Sequence, residues 1–82
     1  MTLDKLPAGH AATVTGLHSV NAERRRMLDL GILPGTLVEN VMPSPLGDPV
    51  AYRIRNALVA LRREQAELIE VQEVAHEGPQ GR

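Results

Sequence analysis

Side chains able to do chemistry are few in this chain, and they are scattered. Its three histidines stand at positions 10, 18 and 76. No two share the i,i+4 or short-turn spacing that would set two metal ligands on one element. His18 follows Leu17 in a strand-like stretch and reads as a surface histidine. A transition-metal site would need several histidine and carboxylate donors, but nothing in the spacing gathers such a set around His18. Cysteine is absent, so there is neither a thiolate nucleophile nor a disulfide. Glu64, Glu67, Glu70 and Glu73 spread over a turn and a strand, with no apolar pocket to raise a carboxyl pKa. The tripeptide Gly47-Asp48-Pro49 is a turn signal, not a nucleotide motif. The expectation is a protein that is not an enzyme and carries no cofactor and no metal.

What remains is chemistry of contact. Arg24, Arg25 and Arg26 run directly into Met27-Leu28-Asp29-Leu30-Gly31. Nucleic acid is a poor partner for this run. The net charge is −1, so no basic field extends over the domain. A single tyrosine is the only aromatic side chain, which removes the stacking platform that single strands need. Met27, Leu28 and Leu30 make an apolar stripe for the core, with Arg24, Arg25 and Asp29 facing elsewhere. Arg26 is expected to pair with Asp29 or a loop carboxylate. Leu28 is the side chain expected to stay partly exposed, and Arg24, Arg25 and Leu28 form the first candidate partner-binding group. The second group, Pro45, Leu46 and Asp48, lies in "PSPLGDP", where three prolines in seven residues exclude a central strand. There Asp48 is expected to accept hydrogen bonds from nearby backbone N–H groups within a rigid turn. A stiff loop presenting Leu46 would bind at little ordering cost.

These residues must be held by a small scaffold. Eighty-two residues make one domain near the lower limit for a self-sufficient core. "HAATVTGLHSV" favours a strand, with Gly16 marking a bulge. Asn21 is placed to cap a short helix, which Gly31 ends as a left-handed residue. Pro34-Gly35 forms a type II turn, and "TLVENVM" is the next strand. "VAYRIR" alternates, with Val50, Tyr52 and Ile54 inward and Ala51, Arg53 and Arg55 outward. "NA" turns tightly into "LVALR", "REQAE" makes one helical turn at most, and "LIEVQEV" closes the sheet. Five short strands and one helix after the first predict a mainly β protein, a small five-stranded barrel. The module spans residues 1–74, and "AHEGPQGR" (75–82) reads as a flexible tail. No apolar run approaches the roughly 20 residues of a membrane helix, and "MTLDKLPAGH" lacks the features of a secretory signal. A cytoplasmic protein is expected.

In order, Arg26-Met27-Leu28-Asp29-Leu30-Gly31, the Pro34-Gly35 turn, Pro45-Leu46-Gly47-Asp48-Pro49 and the "ALRREQAELIEV" ending resemble the FeoA family of bacterial ferrous-iron uptake. The resemblance covers about Leu3 to Val74. It implies an SH3-like barrel and a non-enzymatic accessory protein for FeoB, a membrane ferrous-iron transporter with a cytoplasmic G domain. Met27 stands where leucine is more usual in that family, a near-isosteric exchange. A related SH3-like domain closes metal-dependent repressors of the diphtheria toxin repressor type. An Fe²⁺- or Zn²⁺-binding sensor or carrier is therefore the alternative reading. Weak self-association through short edge strands is a third expectation.

Overall fold

A computed structural model of the protein describes residues 1–42 and 47–74. Pro45, Leu46 and the 75–82 tail therefore lie outside the described residues. The strands are β1 (Ala11–Leu17), β2 (Leu37–Met42), β3 (Val50–Ile54), β4 (Ala57–Leu61) and β5 (Ile69–Glu73), with helices α1 (Asn21–Asp29) and α2 (Arg63–Ala66). All five strands join one antiparallel sheet in the order β4-β3-β2-β1-β5. The expected mainly β architecture, with one short helix after the first strand, is what forms. Register shifts between Val14 and Gly16 in β1, and between Asn40 and Met42 in β2, bend the sheet. The first is the irregularity that Gly16 signals in the sequence.

One face of the bent sheet holds the core. Val14, Val38, Tyr52, Ile54, Leu61, Ile69 and Val71 are all buried. Met27 of α1 and Ala66 of α2 close it. The sequence pattern did not predict that Leu3 and Leu6, around a 3-10 turn at Leu3–Lys5, are equally buried. Asn40 fastens that N-terminal segment, its Nδ2 donating to the Leu6 carbonyl at 2.9 Å inside the core.

The end of α1 follows from its sequence. Leu30 is the last residue with helical dihedrals, and Gly31 takes φ +91°, where a side chain would be strained. The Gly31 N–H donates to the Leu28 carbonyl and the Ile32 N–H to Met27, both at 3.0 Å. This is the Schellman pattern. It turns the chain so that Met27 and Ile32 both enter the core. The next turn is as expected, with Gly35 at φ +94° and the Thr36 N–H donating to the Leu33 carbonyl at 2.9 Å.

Three expectations need correction. Asn21 does not cap α1. Val20 occupies the cap position in extended conformation without a side-chain acceptor, and Asn21 sits in the first turn at φ +54°, a region asparagine tolerates better than most residues. The β3–β4 turn is Arg55-Asn56, at φ +53° and +73°, rather than Asn56-Ala57, because a type I′ turn needs both central residues left-handed. Arg26 forms no ion pair with Asp29 among the described residues; it is exposed on the last turn of α1.

Candidate partner-binding surface

The helix α1 presents two unlike faces. Met27, only 1% exposed, points into the core, and Leu30 packs partly against it. Leu28, one residue along and about 100° around the axis, is half-buried and lies outside the core cluster. With Asn21, Arg24, Arg25 and Asp29 it lines an open depression on the helix. Both arginines are exposed, and Arg24 reaches back to the Leu17 carbonyl at 3.5 Å, a long contact that leaves its charge available. The structure thus brings Arg24, Arg25 and Leu28 together, as a small apolar spot framed by two cations. An arrangement of this kind suits an acidic, amphipathic protein surface.

Asp48 is placed differently. Its Oδ1 accepts the Arg63 N–H at 2.8 Å, across fifteen residues of sequence. The reason lies in α2, whose cap position is Arg62, a side chain with no acceptor to offer. Asp48 supplies the missing acceptor at the helix start, and Gln65 Oε1 accepts the Arg62 N–H at 2.9 Å. Asp48 thus accepts a backbone hydrogen bond, but from the distant α2 and not from the neighbouring N–H groups of its own turn, as the sequence suggests. Asp48 and α1 are both tied to this short helix, because Gln65 Nε2 also donates to Glu23 Oε2 at 3.4 Å. The described end of the proline loop and the N-terminal turn of α1 thus flank one element.

The pKa of Tyr52 is shifted upward. Burial foremost, then the carboxylates of Asp4 and Asp48, push its phenol up to about 12. On the far edge, His18 Nε2 lies 3.0 Å from Glu70 Oε1, and His10 meets Glu73. Glu70 is held below the ordinary carboxylate value, chiefly by the His18 hydrogen bond and next by the N-terminal amine. These pairs give two donors each. No group of three histidine, cysteine or acidic side chains with metal-binding geometry occurs among the described residues.

The sequence reading passed over one surface. Leu33, Leu37, Arg53 and Arg55 line a second open depression between the Pro-Gly turn and β3. Part of its signal is the outward alternation of Arg53 and Arg55, whereas Leu37 has only the pattern of a strand residue in the sequence. Arg53 is partly neutralised there by its cross-strand partner Glu39, at 3.6 Å. No helix of the described residues is long and apolar enough to cross a membrane.

Comparison with known proteins agrees with this architecture. The chain is 39% identical over 72 residues to an Fe(2+) transport protein A/Fe(2+) transporter FeoB fusion protein of Porphyromonas gingivalis, a match covering 88% of this chain but 8% of that protein. The solution structure of a FeoA protein from Chlorobium tepidum superposes with a TM-score of 0.85 at 39% identity, over 92% of this chain and 71% of that one. A FeoA from Stenotrophomonas maltophilia, complexed with zinc and described as a prokaryotic SH3 domain protein, matches with a TM-score of 0.78 at 30% identity, over 88% and 89% of the two chains. The FeoA domain model matches residues 1–73, and with that match the chain belongs to the FeoA family.

Proposed function

We propose that this protein is a cytoplasmic, non-enzymatic accessory of ferrous-iron uptake that docks on the cytoplasmic part of a FeoB-like transporter. The observation that carries this reading is the Porphyromonas relative, in which a region similar to this chain is joined covalently to a FeoB transporter. Fusion keeps two modules at high effective concentration, an arrangement that suits partners which otherwise meet by binding. The contact surface in this reading is the α1 depression, with Arg24 and Arg25 facing acidic groups and Leu28 entering a small apolar pocket. Pro45 and Leu46 are assigned to the same contact as its second group, and Asp48 is tied through the Arg63 N–H to α2, the short helix that also meets Glu23 of α1. Binding of this kind acts by preferring one conformational or nucleotide state of the transporter.

A pull-down and a titration against the detergent-solubilised transporter of the source organism test the reading. Charge reversal of Arg24 and Arg25 together should weaken binding at least about tenfold, roughly the 1.4 kcal/mol expected of lost interfacial charge pairs. Leu37→Glu, in the other depression, should leave binding unchanged. The opposite pattern would move the interface to the sheet. Failure of the wild-type protein to bind the transporter at all would sink the docking reading. The zinc bound by the Stenotrophomonas relative has no three-donor counterpart among the described residues. The metal-sensor alternative would therefore need stoichiometric metal binding that is lost in His18→Ala.

A further inference from the structure

We infer that β4 is a self-complementary edge, and that two copies of this chain pair there as antiparallel strands across a two-fold axis at Val59. This inference does not depend on the transporter reading. Strand β4 ends the sheet order, and among the described residues nothing but β3 pairs with it. Its sequence, Ala57-Leu58-Val59-Ala60-Leu61, holds no charge, no proline and no glycine, and its register with β3 runs without a bulge. Those are the devices by which exposed edges are ordinarily blunted. Leu58 stands 61% exposed on it.

The hairpin dictates which backbone groups are free. In a two-residue type I′ turn the closing residues, here Ile54 and Ala57, exchange both hydrogen bonds. Alternation then bonds Tyr52 to Val59 and Val50 to Leu61, in the observed register. Leu58 and Ala60 consequently direct their N–H and C=O groups outward, to the unpaired side. A two-fold axis at Val59 sets Leu58 opposite Ala60 of the second copy, and Ala60 opposite its Leu58. All four residues then bond, giving four N–H···O=C bonds across the seam.

An axis at Leu58 would give only two bonds, because Ala60 would then face Asn56, a turn residue at φ +73°. The side chains agree with the axis at Val59. On the outer face each large Leu58 meets a small Ala60, which is the pairing that lets neighbouring side chains interlock. Five residues on each side form an interface well under the ~1,200 Å² of stable complexes, so the dimer is weak and forms at high protein concentration.

The test is sedimentation equilibrium from about 10 μM to about 1 mM, the range in which such small interfaces associate, together with amide NMR over the same series. Wild-type mass should rise from that of a monomer toward twice that value. The amides of Leu58 and Ala60 should shift and gain exchange protection with concentration, while those of Ala57, Val59 and Leu61, already bonded to β3, hold still. Ala60→Pro removes a donor that points away from β3 and is tolerated on an edge, and Leu58→Lys places a charge on each copy's edge. Both should fold and stay monomeric. Should Ala60→Pro unfold, Leu58→Lys carries the test alone. A wild-type protein monomeric at 1 mM overturns the inference. So does association that survives both substitutions, or concentration-dependent shifts centred on β5 or α1.

Discussion

The two edges of the sheet are both five-residue strands, and they are built on opposite principles. Strand β5, Ile-Glu-Val-Gln-Glu, alternates: Ile69 and Val71 are buried, while Gln72 and Glu73 face solvent. Its outer side is partly taken by the N-terminal segment, which bridges Thr2 to Glu70 and accepts the Val71 N–H at the Met1 carbonyl, 2.8 Å away. The N-terminal amine and His18 both reach Glu70 along it, and His10 meets Glu73. Among the described residues no segment covers the outer side of β4 and no charge stands within it, and only its last residue, Leu61, is buried. One edge is closed by cover and charge; the other is apolar and, among the described residues, open. In a chain this short, the comparison teaches that stability and association can be assigned to different ends of one sheet.

Truncating one residue in each strand separates these roles by the largest margin. Ile69→Ala empties a fully buried position and should cost about 2–5 kcal/mol, since it removes apolar contact and leaves a cavity. Leu58→Ala removes an exposed side chain and should stay within about 0.5 kcal/mol of wild type in the dilute monomer. Urea denaturation at low micromolar concentration measures both. A cost at Leu58 comparable to that at Ile69 would mean β4 is packed in the monomer, and the contrast between the edges would fail.

Sequence reading recovered what is encoded locally. The alternation of "VAYRIR", the left-handed Gly31 and the Pro34-Gly35 turn each rest on residues within a few positions of one another, where backbone preference is decisive. It missed what depends on distant partners. Nothing near Leu3 and Leu6 announces that the N-terminus closes the core, because two leucines around a proline-flanked turn show no period. Nor could spacing reveal that Asp48 would serve α2, since the acceptor and the helix it caps are brought together only by the β3–β4 hairpin. Asn21 failed for a subtler reason: its propensity fits both a cap and a left-handed backbone, and the chain uses the second. In the candidate surface, the grouping of Arg24, Arg25 and Leu28 was legible because one helical turn sets it. The second depression was not, because it joins residues 33–39 to residues 53–56, which meet only through the pairing of β2 with β3.

The Asp48 contact offers a smaller effect at the β4 end of the sheet. Asp48→Ala leaves the first N–H of α2 without its acceptor and should cost about 0.5–2 kcal/mol, the usual range for a lost helix cap. Asp48→Asn keeps a carbonyl oxygen in place and should recover most of that loss. Tyr52 provides an independent readout. Asp48 ranks behind burial and Asp4 in raising the phenol, so its removal should lower the Tyr52 titration only slightly from about 12. A large fall would show that the substitution had opened the core around Tyr52 rather than removed one hydrogen bond.

The smallest expected effect belongs to the guarded edge, and its sign follows from linkage. Glu70 is held below the ordinary carboxylate value by His18 first and the N-terminal amine second. A carboxyl whose folded value is depressed contributes stability that is fully present above its unfolded value and is lost as pH falls through the folded one. The group is exposed, so solvent screens much of this contribution. Denaturation midpoints should therefore fall as pH drops below the ordinary carboxylate range, and part of that slope should vanish in Glu70→Gln, which cannot ionise. No titratable side chain lies within β4, so pairing at that edge should be insensitive to the same pH change once the fold is intact. An unchanged acid slope in Glu70→Gln would place the pH dependence elsewhere and remove charge from the list of what distinguishes the two edges. Dimerisation that tracked the Glu70 titration would show instead that the seam runs along β5.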